Sequence, residues 1–165
     1  MSEMVDLTDD AGRVIGRVTR TEMRQNRLPH RCAWILVFST VGELFCHLRT
    51  PSKDVFPSYW DVCVGGVLTA GESFDEGAAR ELFEEVGIRA VPVPQFPFHF
   101  ADEYTVVSGY VYTLVCDGPF ALQAEEVVRG EFVAEIDLEA RFAADRFCPD
   151  GLAVWQAYRS ATGRK

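Results

Sequence analysis

The chain runs to 165 residues, 48% of them apolar, and carries a formal net charge of −9. That length suits a single domain spanning 1–165 with its own core, and the apolar share argues against disorder. The acidic balance argues against binding a nucleic-acid polymer, and no apolar run reaches membrane-spanning length.

In chain order, Met4 to Leu7 and Arg13 to Val18 flank Thr8-Asp9-Asp10-Ala11-Gly12 and read as an N-terminal β-hairpin. Thr19 to Asn26 reads as a short helix, stopped near Pro29. Cys32 to Phe38 and Leu44 to Leu48 form a second hairpin across Thr40-Val41-Gly42-Glu43. Arg49 to Tyr59, with Pro51 and Pro57, is a loop. Trp60 to Val67 reads as one strand running into the glycine pair Gly65-Gly66.

A helix over Phe74 to Val86 follows. Ser73 caps it, Glu76 completes a capping box, and Gly87 suits its C-terminal stop. Phe74, Ala78, Leu82 and Val86 recur every four residues and supply its core stripe. Strands are expected near Phe96 to Phe100, Tyr104 to Cys116 and Glu131 to Ala134, with a loop from Gly118-Pro119 to Glu126. Helices are expected at Leu138 to Ala144 and at Gly151 to Ala161, the second capped by Asp150. Strands and helices mix without regular alternation, which suits a mixed sheet flanked by helices.

Five cysteines, an odd number without CxxC spacing, predict reduced thiols and a cytoplasmic location. Cys32, Cys63 and Cys116 lie in apolar runs and read as core packing. The start Met1-Ser2-Glu3-Met4 lacks the layout of a signal peptide. Nothing in the sequence decides between a monomer and a homodimer.

The chemistry concentrates between residues 66 and 88. Glu81, Glu84 and Glu85 sit at i, i+3 and i+4, on one helix face, where like charges repel. No lysine lies between Lys53 and Lys165, and Arg80 is the only cation in the helix. Such a carboxylate face is what a hard cation such as Mg²⁺ takes, shared with substrate phosphates. The pattern reads Gly66, five residues, Glu72, seven residues, then Arg80-Glu81-Leu82-Phe83-Glu84-Glu85-Val86-Gly87-Ile88. All seven fixed positions of the Nudix box GX5EX7REUXEEXGU are filled, and both U positions are aliphatic. The chain thus resembles the Nudix superfamily, whose members mostly cleave a diphosphate linked to another group with a divalent cation.

That resemblance implies an α/β/α sandwich around a mixed sheet, to which the first hairpin is an addition. It implies Mg²⁺ or Mn²⁺ held by Glu81, Glu84, Glu85 and the backbone carbonyl of Gly65. Arg80 orients Glu81, and Glu81 serves as general base. An extra carboxylate from the late loop, Glu125 or Glu126, is the second choice for base or ligand. The substrate implied is a small phosphorylated molecule, a nucleoside diphosphate or a derivative of one.

Outside the box, Asp6 to Gly12, Val18-Thr19-Arg20, His30-Arg31, Arg49 to Lys53, Pro57 to Asp61 and Pro149-Asp150-Gly151 resemble the branch related to isopentenyl diphosphate isomerase. In that branch the segment after Lys53 holds a diphosphate, so Arg49 and Lys53 are the expected substrate contacts. Isomerase activity itself is one alternative, and a nucleotide-sensing domain without catalysis is another. Isomerases carry a catalytic cysteine where this chain has Gly65 and a metal-binding histidine where it has Val67. Both departures favour hydrolysis.

Overall fold

The structure is a computed structural model that describes residues 2–164. Its elements run β1 (Met4–Thr8), β2 (Val14–Thr19), α1 (Arg20–Gln25), β3 (His30–Phe38), β4 (Leu44–Arg49), β5 (Trp60–Asp61) and β6 (Val64–Val67). There follow α2 (Phe74–Val86), β7 (Val93–Ala101), β8 (Val106–Val115), β9 (Val127–Val133), α3 (Glu135–Ala144) and α4 (Pro149–Thr162).

β3 is the axis of the fold. It runs parallel to β8 along its whole length, from His30 opposite Val107 to Phe38 opposite Val115, and antiparallel to β6. Its side chains alternate between two cores, as strand pleating demands. Cys32, Trp34, Leu36 and Phe38 pack with Leu138 of α3 and with Val154, Trp155 and Tyr158 of α4. Ala33, Ile35 and Val37 pack with Ala78, Leu82 and Val86 of α2. The result is the expected mixed sheet between helical layers. It places the carboxylate face of α2 beside β6.

The α2 ends are as predicted. Ser73 accepts from the Glu76 backbone, Glu76 returns the bond, and Gly87 closes the helix at φ 72°. The expected strand over residues 60–67 is instead broken. Asp61 Oδ1 accepts from the Cys63 backbone N–H at 3.0 Å, which turns the chain between β5 and β6. β5 then pairs with β4 and β6 with β3.

β9 starts four residues before the expected strand and pairs along β4. A side chain at Gly130 would meet the Phe45 ring within 2.3 Å, so this glycine lets the strands close. α3 begins at Glu135, ahead of the expected Leu138. Asp150 does not cap α4. Cys148 is the N-cap and Pro149 takes the first turn, where its missing N–H costs nothing. The Asp150 carboxylate accepts from Trp34 Nε1 at 3.0 Å.

The N-terminal hairpin is more than an addition. β1 pairs with both β2 and β3, and buried Asp6 accepts from the Gly71 backbone N–H at 2.8 Å. Arg17 and Arg31 both lie on the same carboxylate. The hairpin therefore holds the loop that leads into α2.

Candidate active site

α2 carries Glu81, Glu84 and Glu85 into a cleft of about 520 Å³. Glu81 and Glu85 are buried, while Glu84 is exposed. Gly66 lies under Glu81. A Cβ there would stand 3.0 Å from both carboxylate oxygens, so glycine is what leaves the carboxylate its place. Gly65 has φ 145°, and a Cβ there would meet the Ala33 carbonyl oxygen at 2.1 Å. No side chain of any kind fits at residue 65 with β6 paired to β3.

Arg80 ties the glutamates together. Its Nε and Nη2 donate to the two oxygens of Glu72 at 2.8 and 2.9 Å. Nη1 donates to Glu81 at 2.8 Å and to Glu84 at 2.9 Å. Nη2 also reaches the Val67 carbonyl at 3.2 Å. Glu72 accepts in addition from the Thr69 backbone, so the loop before α2 and the helix itself share one guanidinium. Forked pairing of this kind fixes geometry as well as charge.

Lys53 closes the cleft from the β4–β5 loop. Its ammonium lies 3.6 Å from Glu85 and forms an ion pair with Glu126. Glu85 accepts from the Gly65 backbone N–H at 3.1 Å. The late loop is pinned to the end of α2, since Ala121 and Gln123 donate to the carbonyls of Val86 and Glu85 at 3.0 Å each. That pinning brings Glu126 to the cleft. Glu125 is exposed, outside the cleft lining, and its backbone carbonyl accepts from the Thr50 hydroxyl.

Burial, followed by the charge of Glu85, pushes the Glu81 carboxyl up to about 7. Burial also raises Glu85, against the pull of Lys53 and the Gly65 N–H. Burial lowers the Lys53 ammonium from its usual range. The cleft is lined by five glutamates, Glu3, Glu81, Glu84, Glu85 and Glu126, against three cations, Arg20, Lys53 and Arg80. As the side chains stand, no three His, Cys, Asp or Glu side chains among the described residues close on one point. Arg80 and Lys53 draw the carboxylates to either side. Oxygen donors in excess, on a glycine floor that gives them room, nevertheless fit a hard divalent cation.

A second, smaller cavity of about 80 Å³ adjoins the cleft. Arg20, Lys53 and Gly65 to Val67 line both. Arg49 lines only the inner one. Its Nε and Nη2 donate to the carbonyls of Phe56 and Val55, and Nη1 lies 3.9 Å from Asp61. Of the two expected substrate contacts, Lys53 reaches the cleft and Arg49 braces its own loop. Sequence reasoning missed Arg20, Arg24, Asp61 and Thr105, which also line the inner cavity. Arg20 and Arg24 are one helical turn apart, and that spacing was the available signal.

A protein-family model for the NUDIX domain matches residues 28–150. An uncharacterized Nudix hydrolase of Streptomyces coelicolor is 37% identical over 98% of this chain and 92% of its own length. One from Pseudomonas aeruginosa is 38% identical over 97% of this chain and 95% of its own. A crystal structure from Deinococcus radiodurans superposes with a TM-score of 0.76 at 27% identity, covering 95% of this chain and all of that one.

Proposed function

The chain belongs to the Nudix hydrolase family, and on that premise we propose that it cleaves a phosphoanhydride bond of a nucleoside diphosphate, or of a nucleoside diphosphate linked to another group. The observation that carries the reading is the ring of Glu81, Glu84, Glu85 and Glu126 around a cleft floored by Gly65 and Gly66. Glu81, Glu84 and Glu85, with the Gly65 carbonyl, would hold Mg²⁺ or Mn²⁺. The cation would supply positive charge against the diphosphate and acidify water there.

The protein's own part is positioning and proton transfer. Water adds to one phosphorus, the bridging P–O bond breaks, and the leaving phosphate keeps the bonding electron pair. The water proton passes to a carboxylate. Glu81 suits that role, because a base with a pKa near the working pH is the most effective and Arg80 fixes its orientation. Glu126 is the alternative base. Lys53 offers its ammonium to the diphosphate from the wall shared by the two cavities.

The isomerase alternative loses support at residue 65. The space a catalytic thiol would need is taken by the Ala33 carbonyl. A release assay for phosphate and nucleoside monophosphate across nucleoside diphosphates and their derivatives, with and without Mg²⁺, tests the reading. Glu85→Gln should lower kcat by about a hundredfold or more, the scale of losing a charged group aimed at the reacting centre. Unchanged turnover in that variant would remove Glu85 from the machinery.

A further inference from the structure

The two cavities differ in what they offer the organic part of a substrate. Among the described residues the glutamate cleft has no aromatic side chain in its wall, and Val67 is its one large apolar residue. A planar base would meet only charge, polar groups and glycine there. The inner cavity shares Arg20, Lys53 and Val67 with the cleft and adds Val55, Phe56 and Trp34.

Phe56 stands apart from the other apolar residues. It is only partly buried, and it packs into none of the three hydrophobic cores. Its ring instead meets Tyr59, with centroids 5.5 Å apart, and Tyr104, edge to face at 5.7 Å. Tyr104 is 57% exposed. These rings run from the cavity wall to the surface.

The backbone holds this arrangement against strain. Phe56 has φ 52° and Ser58 φ 60°. A bulky side chain in the left-handed region is a steric outlier that lasts only where the surroundings fix it. Arg49 fixes it here. Its Nη2 donates to the Val55 carbonyl at 2.9 Å and its Nε to the Phe56 carbonyl at 3.3 Å. The Ser58 N–H donates to the Thr50 carbonyl at 3.3 Å. A glycine would suit such a backbone without strain. The ring is what the bracing keeps in place.

Lys53 and Phe56 are three residues apart, a span of at most about 10 Å. That is the reach of a ribose set between a phosphate and a base. Resting on the hydrolase reading, we infer that Phe56, with Tyr104 at its edge, is the stacking platform for the base of the substrate. The diphosphate then lies between Lys53 and the glutamates, and the nucleoside turns toward the inner cavity. Phe56 selects a planar aromatic group over a bare sugar or an aliphatic chain.

Titration calorimetry with Mg²⁺ reads the platform without turnover, because nucleoside monophosphates have no phosphoanhydride bond. The probes are AMP, UMP, ribose 5-phosphate, which lacks the base, and butyl phosphate, which has an apolar chain but no ring. The better-bound nucleotide should exceed both of the last two by at least about tenfold, the scale of one base stacked on an aromatic side chain. Phe56→Leu keeps apolar bulk and the same backbone demand but removes the ring face. It should erase most of the nucleotide's advantage and leave ribose 5-phosphate unchanged, while Phe56→Trp should preserve the advantage. Should Phe56→Leu fail to fold, Tyr104→Leu on the exposed rim makes the same comparison. Its expected loss is about threefold, for the nucleotide alone, the scale of an aromatic pair contact.

Ribose 5-phosphate or butyl phosphate bound as tightly as the nucleotide, an equal loss for nucleotide and ribose 5-phosphate in the variants, or no nucleotide binding at millimolar concentration would overturn the inference. The hydrolase reading is judged separately, on Mg²⁺-dependent phosphate release from nucleoside diphosphates by the wild-type protein. Nucleotides that stack on Phe56 but are never cleaved would sink that reading and keep this one.

Discussion

Glu81 is held in a form that favours its proton. Burial and the neighbouring Glu85 raise its carboxyl to about 7, above the ordinary value of about 4.3. A folded-state pKa above the unfolded one stabilises the fold at low pH. That contribution is complete below the unfolded value and disappears as pH rises through about 7. A divalent cation competes with the same proton. The melting temperature gained on adding Mg²⁺ to protein kept in chelator should therefore be larger at pH 8 than at pH 6. Scanning calorimetry at the two pH values checks it, and an equal gain would separate Glu81 from the cation.

At the scale of elements, the β6–α2 unit divides its labour between two adjacent glycines. Gly65→Ala drives a methyl into the Ala33 carbonyl and must break the β3–β6 pairing, so it should lower stability severely. Gly66→Ala presses only on the Glu81 side chain, which can move. It should leave the melting temperature nearly unchanged and reduce kcat. Paired unfolding and kinetic measurements on the two variants separate these effects; equal loss of stability in both would refute the division.

This unit was the part most legible in the sequence, because its cap, periodicity and spacing are local. The break at Val62-Cys63 was not legible. It depends on one side-chain bond from Asp61 and on which strands β5 and β6 find as partners. Glu126 could not be told from Glu125, because the choice rests on the late loop being pinned to the end of α2. Arg49 and Lys53 looked alike for a similar reason. Only the path of the β4–β5 loop turns one inward to brace the chain and the other to the cleft. Thr105 gave no signal at all, since its partnerless hydroxyl emerges only from the packing around it.

For the whole molecule, the N-terminal hairpin lies outside the stretch matched by the family model, yet it reaches the candidate site. Asp6 bonds the Gly71 backbone and gathers Arg17 and Arg31, and Arg31 in turn donates to the Glu72 carbonyl. Those contacts hold its carboxyl below the usual range against the effect of burial. Asp6→Asn weakens a shared ionic anchor between the hairpin and the loop before α2. It should destabilise the protein by about 1–3 kcal/mol, the cost of leaving charged partners under-satisfied. Urea unfolding measures that loss. Activity in the variant should fall further than the loss of folded protein explains, because Glu72 positions Arg80.

The sequence contains only two lysines, Lys53 and Lys165. One of them is the ammonium clasped between Glu85 and Glu126, with burial lowering its pKa from the usual lysine range. An amine-acylating reagent is thereby turned into a footprinting agent for the cleft. Mass spectrometry of a chymotryptic digest reads the modified fraction at Lys53 at a fixed reagent dose. A nucleotide held over the glutamates should shield Lys53, so occupancy can be followed without knowing which bond the enzyme cuts.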